Sequence, residues 1–193
     1  MNVTRNLVVA VLMTIVTTLL IGVVYPLVVT GLAQLLFPDN ANGQLLERDG
    51  KVVGSRIIGQ GFSSPGYFRG RPSAAGTGYD AANSGGTNLG PTNKKLVDAV
   101  ASNVAAARKE NASAPVPIDL VTSSASGLDP HVSPASAAFQ VLRVARERGV
   151  AAADIQRLVD AHTQGRQLGF LGEPVVNVLE LNLALDAQIP IKR

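Results

Sequence analysis

The chain carries a long uncharged segment near its start. No charged side chain lies between Arg5 and Asp39, a run of 33 mostly apolar residues. A helix rises about 1.5 Å per residue, so roughly 20 residues cross the hydrocarbon core of a bilayer. The run therefore predicts a membrane-spanning helix within residues 1–38, followed by a domain of residues 39–193. Because one helix cannot line a pore, we expect the chain to work beside other subunits in the membrane.

A cleaved secretory signal is the alternative interpretation, since Arg5 precedes the apolar run and residues 31–33 resemble a small-x-small cleavage site. The apolar part of a signal usually has about 7 to 15 residues, whereas residues 7–24 supply 18 uncharged positions, which favours a retained anchor. The flanking positive charges are indecisive. Long domains translocate largely regardless of charge, so the N-terminus is predicted to be cytoplasmic and the domain extracytoplasmic, or periplasmic.

Small side chains recur every four residues along the anchor, at Ala10, Thr14, Thr18 and Gly22. Such a stripe lets another helix approach closely in lipid and lets threonines hydrogen-bond across the contact. These four residues are therefore candidates for contact with a partner helix. Pro26 is expected to kink or end the regular helix near one interface.

The composition of residues 39–193 excludes several kinds of function. The 16 basic and 14 acidic residues form no basic block, so binding to nucleic acid is not expected. The chain has no cysteine, which excludes disulfides and thiolate metal sites. His131 and His162, the two histidines, cannot alone make a histidine-rich metal centre.

The pattern of the domain predicts an α+β fold. A hairpin is expected at 44–47 and 51–55, because Asp49-Gly50 suits a tight turn. Residues 59–93 hold nine glycines, three prolines and four of the domain's six aromatic residues, which indicates an ordered loop rather than a linker. Antiparallel pairing is expected rather than a doubly wound sheet.

Helical spacing predicts helices over 93–109, 135–148 and 152–162. The second should begin with Ser133 as N-cap and Pro134 at the first position, and end at Gly149. The third should bury Ile155, Leu158 and Val159. A short strand is expected at 118–121, and a strand followed by a helix at 175–186.

Few residues point to chemistry. Ser124, Ser126, Asp129 and His131 are the residue types of a hydrolase triad, but neighbours in sequence rarely form one, which favours a loop that caps the next helix. Gln140, Arg143 and Glu147 share a helix face that could hold a polar ligand or simply face solvent. His162 is expected near a helix end, where it would complement the helix dipole.

Several segments, in order, resemble the C subunit of the bacterial Kdp potassium-transporting ATPase, the KdpC family. They are Gly59-Gln60-Gly61-Phe62, Tyr67-Phe68-Arg69-Gly70-Arg71-Pro72-Ser73, Ser84-Gly85-Gly86-Thr87-Asn88-Leu89-Gly90, Ser126-Gly127-Leu128-Asp129-Pro130-His131, Arg143-Val144-Ala145 and Val176-Asn177-Val178-Leu179-Glu180-Leu181-Asn182. The resemblance covers the whole chain, including the single N-terminal span.

This resemblance implies an accessory subunit of an inner-membrane potassium uptake complex, required for assembly and activity. The implied partners are a potassium-selecting subunit, an ATP-hydrolysing P-type subunit and a small one-span subunit. The family role usually given is a catalytic chaperone that raises the ATP affinity of the hydrolysing subunit, and the position matching the proposed nucleotide contact is Gln140. An external domain would not reach cytoplasmic ATP, however, so the predicted topology favours an external supporting role, with no cofactor assigned to this chain and ATP expected only through the complex.

The candidates for contact with the potassium-selecting subunit are Tyr67, Phe68, Arg69, Arg71, Asp129 and His131. Aromatic and arginine side chains concentrate binding energy at interfaces, which is why these loops are favoured. Two other classes of function stay open at this point. One is a membrane-anchored extracytoplasmic hydrolase that uses His131 or His162 with a serine, and the other is an anchored binding module that acts alone.

Overall fold

The computed structural model describes residues 2–191, and the chain divides into two compact units, residues 1–45 and 46–193. The first unit is dominated by a continuous apolar helix, Val3–Leu36. In its most apolar 18-residue window, no residue is buried within the chain. Asn2 caps its start by accepting a hydrogen bond from the Arg5 amide. A helix of this length and hydropathy can cross a membrane, as the sequence predicts.

The apolar helix is regular except for one turn. It comprises α1 (Val3–Leu19), a π-helical turn (Leu20–Val24) and α2 (Tyr25–Leu36), followed by the short α3 (Pro38–Ala41). The helix does not end at Pro26 but continues to Leu36, and the regular α-helix is interrupted by the π turn just before Pro26, where the sequence predicts a kink or an end. Proline lacks an amide donor, and hydrogen bonding is rearranged just before it: the Tyr25 amide bonds to the Leu20 carbonyl across the wider π turn.

The second unit is an α+β domain, as predicted. Its elements are the hairpin β1 (Leu45–Arg48) and β2 (Lys51–Ser55), then α4 (Lys94–Glu110), a 3₁₀ turn (Ile118–Leu120), β3 (His131–Val132), α5 (Pro134–Arg148), α6 (Ala152–Ala161), β4 (Thr163–Gln164), β5 (Val175–Asn177) and α7 (Val178–Gln188). In the hairpin turn Asp49 and Gly50 both have positive φ, which confirms the tight turn predicted there. Residues 59–93 contain no helix or strand.

A small antiparallel sheet has the order β3–β5–β4, with Val176 opposite both Val132 and Thr163. The core packs α5, α6 and α7 with this sheet, and its fully buried residues include Val144, Ile155 and Leu181. Antiparallel pairing is therefore confirmed, although β3 and β4 are only two residues long.

The ends of α5 form as their sequence predicts. The Ser133 side chain accepts from the Ser136 amide, Pro134 is the first helical residue, and Gly149 ends the helix with φ of 66°. In α6, Ile155, Leu158 and Val159 are buried, as predicted, and His162 is the C-cap. The strand followed by a helix near the C-terminus is also confirmed.

The strand expected at 118–121 is wrong, because residues 118–120 form a 3₁₀ turn. The Leu120 and Val121 amides bond back to Pro117 and Ile118. Asp119 instead uses its carboxylate to accept from the Ser133 amide, at 2.7 Å, and from the Ser133 hydroxyl. The segment thus supports the start of α5 rather than joining a sheet.

The long loop is fastened to residues 122–130. The Gly59 and Gly85 amides donate to the carbonyls of Leu128 and Ser126, both at 2.8 Å, and Ser73 donates to the Gly127 carbonyl. Gly127 has φ of 68°, and a Cβ there would lie 2.6 Å from the Ala75 nitrogen. These contacts confirm that the loop is ordered.

Candidate functional site

Residues 65–69, which we call the strap, pass between α5 and α7. Side chains from these two helices bind every carbonyl of the strap: Arg143 binds Pro65 and Tyr67, Arg148 binds Gly66, Asn182 binds Phe68, and Gln140 binds Arg69. Buried backbone groups need partners, and in the strap side chains supply what a neighbouring strand would otherwise provide.

Gln140, the residue implied as a nucleotide contact, is 2% exposed and fully occupied within the chain. Its oxygen accepts from the Arg69 amide at 2.9 Å and from Arg143 at 2.7 Å. Its nitrogen donates to the carbonyls of Arg69 and Ser136, at 3.1 and 3.2 Å. A side-chain amide makes at most about four such bonds, so Gln140 has no free hydrogen-bonding position.

Asn182 on α7 makes the equivalent pair of bonds to the preceding strap residue. Its oxygen accepts from the Phe68 amide at 2.8 Å, and its nitrogen donates to the Phe68 carbonyl at 2.9 Å. The Phe68 ring is fully buried in the core. Phe68 therefore offers no exposed side-chain surface to a partner, and its position is that of a core anchor for the strap.

Arg148 joins the strap to the end of α7. Its side chain is completely buried and donates to the carbonyls of Gly66 and Ile189 and to Asp186. Its guanidinium carbon lies 5.1 Å from the centre of the Tyr67 ring, while the Tyr67 hydroxyl donates to Asp186. Burial raises the pKa of Tyr67, and the bond to Asp186 raises it further. The ring and the hydroxyl of Tyr67 thus both contact residues of the domain itself.

A cleft of about 520 Å³ lies beside the strap, between the long loop and the helices α4 and α5. Phe62, Tyr79 and Phe139 are among its apolar lining residues, and Arg69, Arg71 and Glu110 supply charge. Arg69 is half-exposed and lies 3.8 Å from Glu110, an ion-pair distance without a hydrogen bond. Arg69, the charged residue of the strap, thus has a side chain open to an external ligand.

Glu110 also pairs with Arg143 behind the cleft. Their nearest atoms, Oε1 and Nε, are 2.8 Å apart. Within residues 2–191 neither atom meets the geometry of a hydrogen bond. Burial lowers the pKa of Arg143, while Glu110 raises it. This pair ties α4 to α5 more by charge than by directed bonding.

Arg71 and Asp129 lie where the long loop meets residues 122–130. Arg71 donates to Asp129 at 3.3 Å and to the carbonyls of Thr122 and Ser123. The Tyr79 hydroxyl donates to the Arg71 carbonyl, and burial raises the Tyr79 pKa, with the Asp129 charge adding to the effect. Arg71 and Asp129 therefore hold two loops together, and both keep about a quarter of their side-chain surface exposed.

The residues of the possible hydrolase do not assemble into a triad. His131 lies 3.7 Å from Asp129, but the Ser124 and Ser126 hydroxyls lie 3.5 Å from each other, and the Ser126 hydroxyl accepts from the Leu128 amide. The His162 ring bonds to the Leu158 carbonyl at its helix end. Within residues 2–191 no cluster of three acidic or histidine residues could hold a metal ion.

In the apolar helix, Ala10, Thr14 and Thr18 lie in α1 and Gly22 lies in the π turn. All four are exposed in the isolated chain. The Thr14 hydroxyl donates to the Ala10 carbonyl at 2.9 Å, so this bond stays within the helix rather than crossing to a neighbour.

Asn182, Arg148 and Glu110 are central to the strap and cleft, but sequence reasoning did not select them for a role. The sequence contains one indication that Asn182 has a role, because it is the polar residue within the apolar run Leu181-Asn182-Leu183-Ala184-Leu185. A polar group on a buried helix needs a partner, so its presence there indicates a specific contact. The sequence contains no such indication for Arg148 or Glu110, since charged residues near helix ends are common.

Comparison with known families agrees with the resemblance seen in the motifs. A model of the family described as "KdpC: K+-transporting ATPase, c chain" matches residues 7–187. The match includes most of the apolar helix and nearly all of the second unit.

Similar chains share most of this length. A relative from Koribacter versatilis is 63% identical over 187 residues, covering 97% of both chains. One from Methylococcus capsulatus is 59% identical, covering 92% of this chain and 95% of its own. One from Mycobacterium tuberculosis is 57% identical, covering 94% and 98%. Each bears the name "Potassium-transporting ATPase KdpC subunit".

Proposed function

Since the chain belongs to the KdpC family of potassium-transporting ATPase subunits, we propose that it is a non-catalytic accessory subunit needed for assembly and activity of a potassium uptake complex. The observation that carries this proposal is the family match over residues 7–187, which spans both the apolar helix and the folded domain. Its partners are a potassium-selecting subunit, an ATP-hydrolysing P-type subunit and a small one-span subunit.

Residues 1–38 form the cytoplasmic N-terminus and the membrane span in this proposal, and residues 39–193 form the extracytoplasmic domain. Length and hydropathy of Val3–Leu36 support the span. The orientation is supported by the ease with which long domains translocate regardless of charge.

The domain acts by contact rather than by binding ATP. Gln140 is buried and makes four hydrogen bonds within the chain, so a nucleotide could reach its amide only if the strap were released. The burial and bonding of Gln140 therefore favour a domain that supports the potassium-selecting subunit from outside. They argue against a domain that raises ATP affinity by direct contact with the nucleotide.

The interface candidates differ in what they offer a partner. Arg69 has the most open charged side chain, while Arg71, Asp129 and His131 retain partial exposure at the junction of two loops. The exposed stripe of Ala10, Thr14, Thr18 and Gly22 offers a close-packing helix contact in lipid. Tyr67 and Phe68 contribute by holding the strap in place.

Topology is tested with single cysteines, because the native chain contains none. Ser102→Cys, at an exposed site of α4, should react in intact cells with a maleimide that cannot cross the inner membrane. Thr4→Cys should react only after the membrane is opened. The reverse labelling pattern would contradict the proposed orientation and would again allow the domain to contact cytoplasmic nucleotide.

Assembly is tested by deleting the chain and restoring it. Without it, the other subunits should be recovered with reduced potassium-stimulated ATPase activity, and the restored wild-type chain should copurify with them. An intact, fully active complex without the chain would contradict the accessory role.

A further inference from the structure

The hairpin between β4 and β5 ends in an exposed apolar tip. Residues 165–173, which we call the prong, are all exposed. At the tip, Leu168 is 82% and Phe170 is 69% exposed. Single exposed apolar residues are ordinary, but two large ones separated by one glycine in the same exposed turn indicate an interaction site.

The prong is held rigid by its own bonds. Gln167 and Leu171 exchange two backbone hydrogen bonds, both of 2.9 Å, and Arg166 pairs with Glu173 at 2.6 Å. Among residues 2–191, each hydrogen bond and ion pair of the prong joins two of its own residues. The tip is thus shaped in advance without being covered by the rest of the domain.

The first central residue of this turn is one that disfavours the turn conformation. The Phe170 amide bonds to the Gln167 carbonyl, and Leu168 and Gly169 between them have φ of 52° and 82°. Positive φ at both central positions is the pattern of a type I′ turn, which prefers Asn-Gly or Asp-Gly. A leucine here is both conformationally unfavourable and exposed, a conflict expected where a residue serves binding.

A protein pocket fits the prong better than a lipid surface does. Segments that bind membrane surfaces usually combine apolar residues with an excess of Lys or Arg. The prong has one arginine, and Glu173 neutralises it. A rigid apolar tip with a neutral polar base instead matches the anchor residues of protein interfaces, where an ordered backbone lowers the entropic cost of binding.

We propose that the prong inserts Leu168 and Phe170 into an apolar pocket on another protein subunit of the transporter. The inference rests on the proposed accessory function, but not on the orientation of the domain. It assigns to residues 165–173 a role separate from the strap and the cleft.

The first test separates binding from folding. Leu168→Asn places the preferred residue in the turn, so the melting temperature of the full-length chain in detergent should be unchanged or higher. The recovery of the other subunits with this variant should nevertheless fall, and with Leu168→Asn and Phe170→Ser combined it should fall at least about tenfold. Ile118→Ser, which changes a 74% exposed apolar residue elsewhere, is the matched control and should leave recovery within about twofold.

Wild-type recovery with the combined variant would overturn the inference, as would an equal loss with Ile118→Ser. A clear fall in melting temperature with Leu168→Asn would also overturn it, because the leucine would then serve the fold. If even the wild-type chain recovered no other subunit, the proposed function itself would fail, and the inference with it.

A photocrosslinker identifies what covers the tip. Benzoylphenylalanine in place of Phe170, irradiated in intact membranes, should form an adduct with another subunit of the complex. An adduct only with lipid, only with a second copy of this chain, or with nothing would contradict the proposal.

Discussion

Gln140 and Asn182 hold consecutive residues of the strap, each through a donor and an acceptor on one amide. We predict that Asn182→Leu lowers the free energy of unfolding by about 2–4 kcal/mol, because the amide and carbonyl of Phe68 would stay buried without partners. Denaturant unfolding of the full-length chain in detergent measures this change. Gln188→Leu, an amide replaced at an exposed position of the same helix, should change stability by less than about 0.5 kcal/mol. Equal effects of the two variants would show that the Asn182 bonds contribute little.

Asp119 gives the fold a pH-dependent component. Burial raises its pKa, but hydrogen bonds from Ser136 and Ser133 outweigh this effect and leave the pKa below its usual range. A lowered folded-state pKa means that the stabilisation is fully present above the unfolded value of about 4 and is lost as the pH falls through the folded value. Asp119→Asn should therefore destabilise the chain by about 1 kcal/mol at pH 7. In unfolding measurements from pH 7 to pH 2 the gap to wild type should close at the acid end, and a constant gap would contradict the assignment.

At the scale of elements, the small-residue stripe of the apolar helix should act as a packing surface. Gly22→Leu and Thr18→Leu keep the helix apolar but block close approach, so the complex should dissociate more readily in mild detergent while membrane insertion is unchanged. Val16→Leu places the same leucine side chain about 200° around the helix from Thr14 and should be tolerated. Thermal dissociation, followed by gel filtration, is the measurement, and identical behaviour of all three variants would show that the stripe is incidental.

Elements with local causes could be predicted from the sequence, and those with distant causes could not. The start and end of α5 follow from Ser133, Pro134 and Gly149, which act within one turn. The apolar pattern at 118–121 predicts a strand, whereas the 3₁₀ turn found there places Asp119 against Ser133, a contact 14 residues away that the local pattern does not indicate. The two-residue strands β3 and β4 are too short to leave a pattern of alternation.

The candidate site shows the same division. Gln140 is a candidate through the resemblance alone. Its bonds to Arg69 join residues 71 positions apart, and no spacing in the sequence indicates them. The sequence analysis also assigns no role to the prong, although its apolar segment Leu168-Gly169-Phe170-Leu171 lies between Arg166 and Glu173. Apolar runs of this length usually enter a core, and only the structure shows that this one does not.

At the scale of the whole molecule, the anchor and the domain have separate tasks in this account. In the proposed function the apolar helix holds the chain in the membrane and offers a surface to a partner helix, whereas the domain presents the strap, a cleft and the prong. None of these features needs ATP to reach this chain, so the proposed accessory subunit would be able to act from outside the compartment where hydrolysis occurs.

The apparent KM for ATP of the complex containing Gln140→Ala tests this account most directly. The variant removes the bonds to Arg69, so the complex should be less stable to heat. In the fraction that is fully assembled, judged by subunit stoichiometry, we predict a KM for ATP within about twofold of wild type, because the amide holds the strap and not the nucleotide. A several-fold rise in KM at equal stoichiometry would contradict the account and assign Gln140 to nucleotide binding.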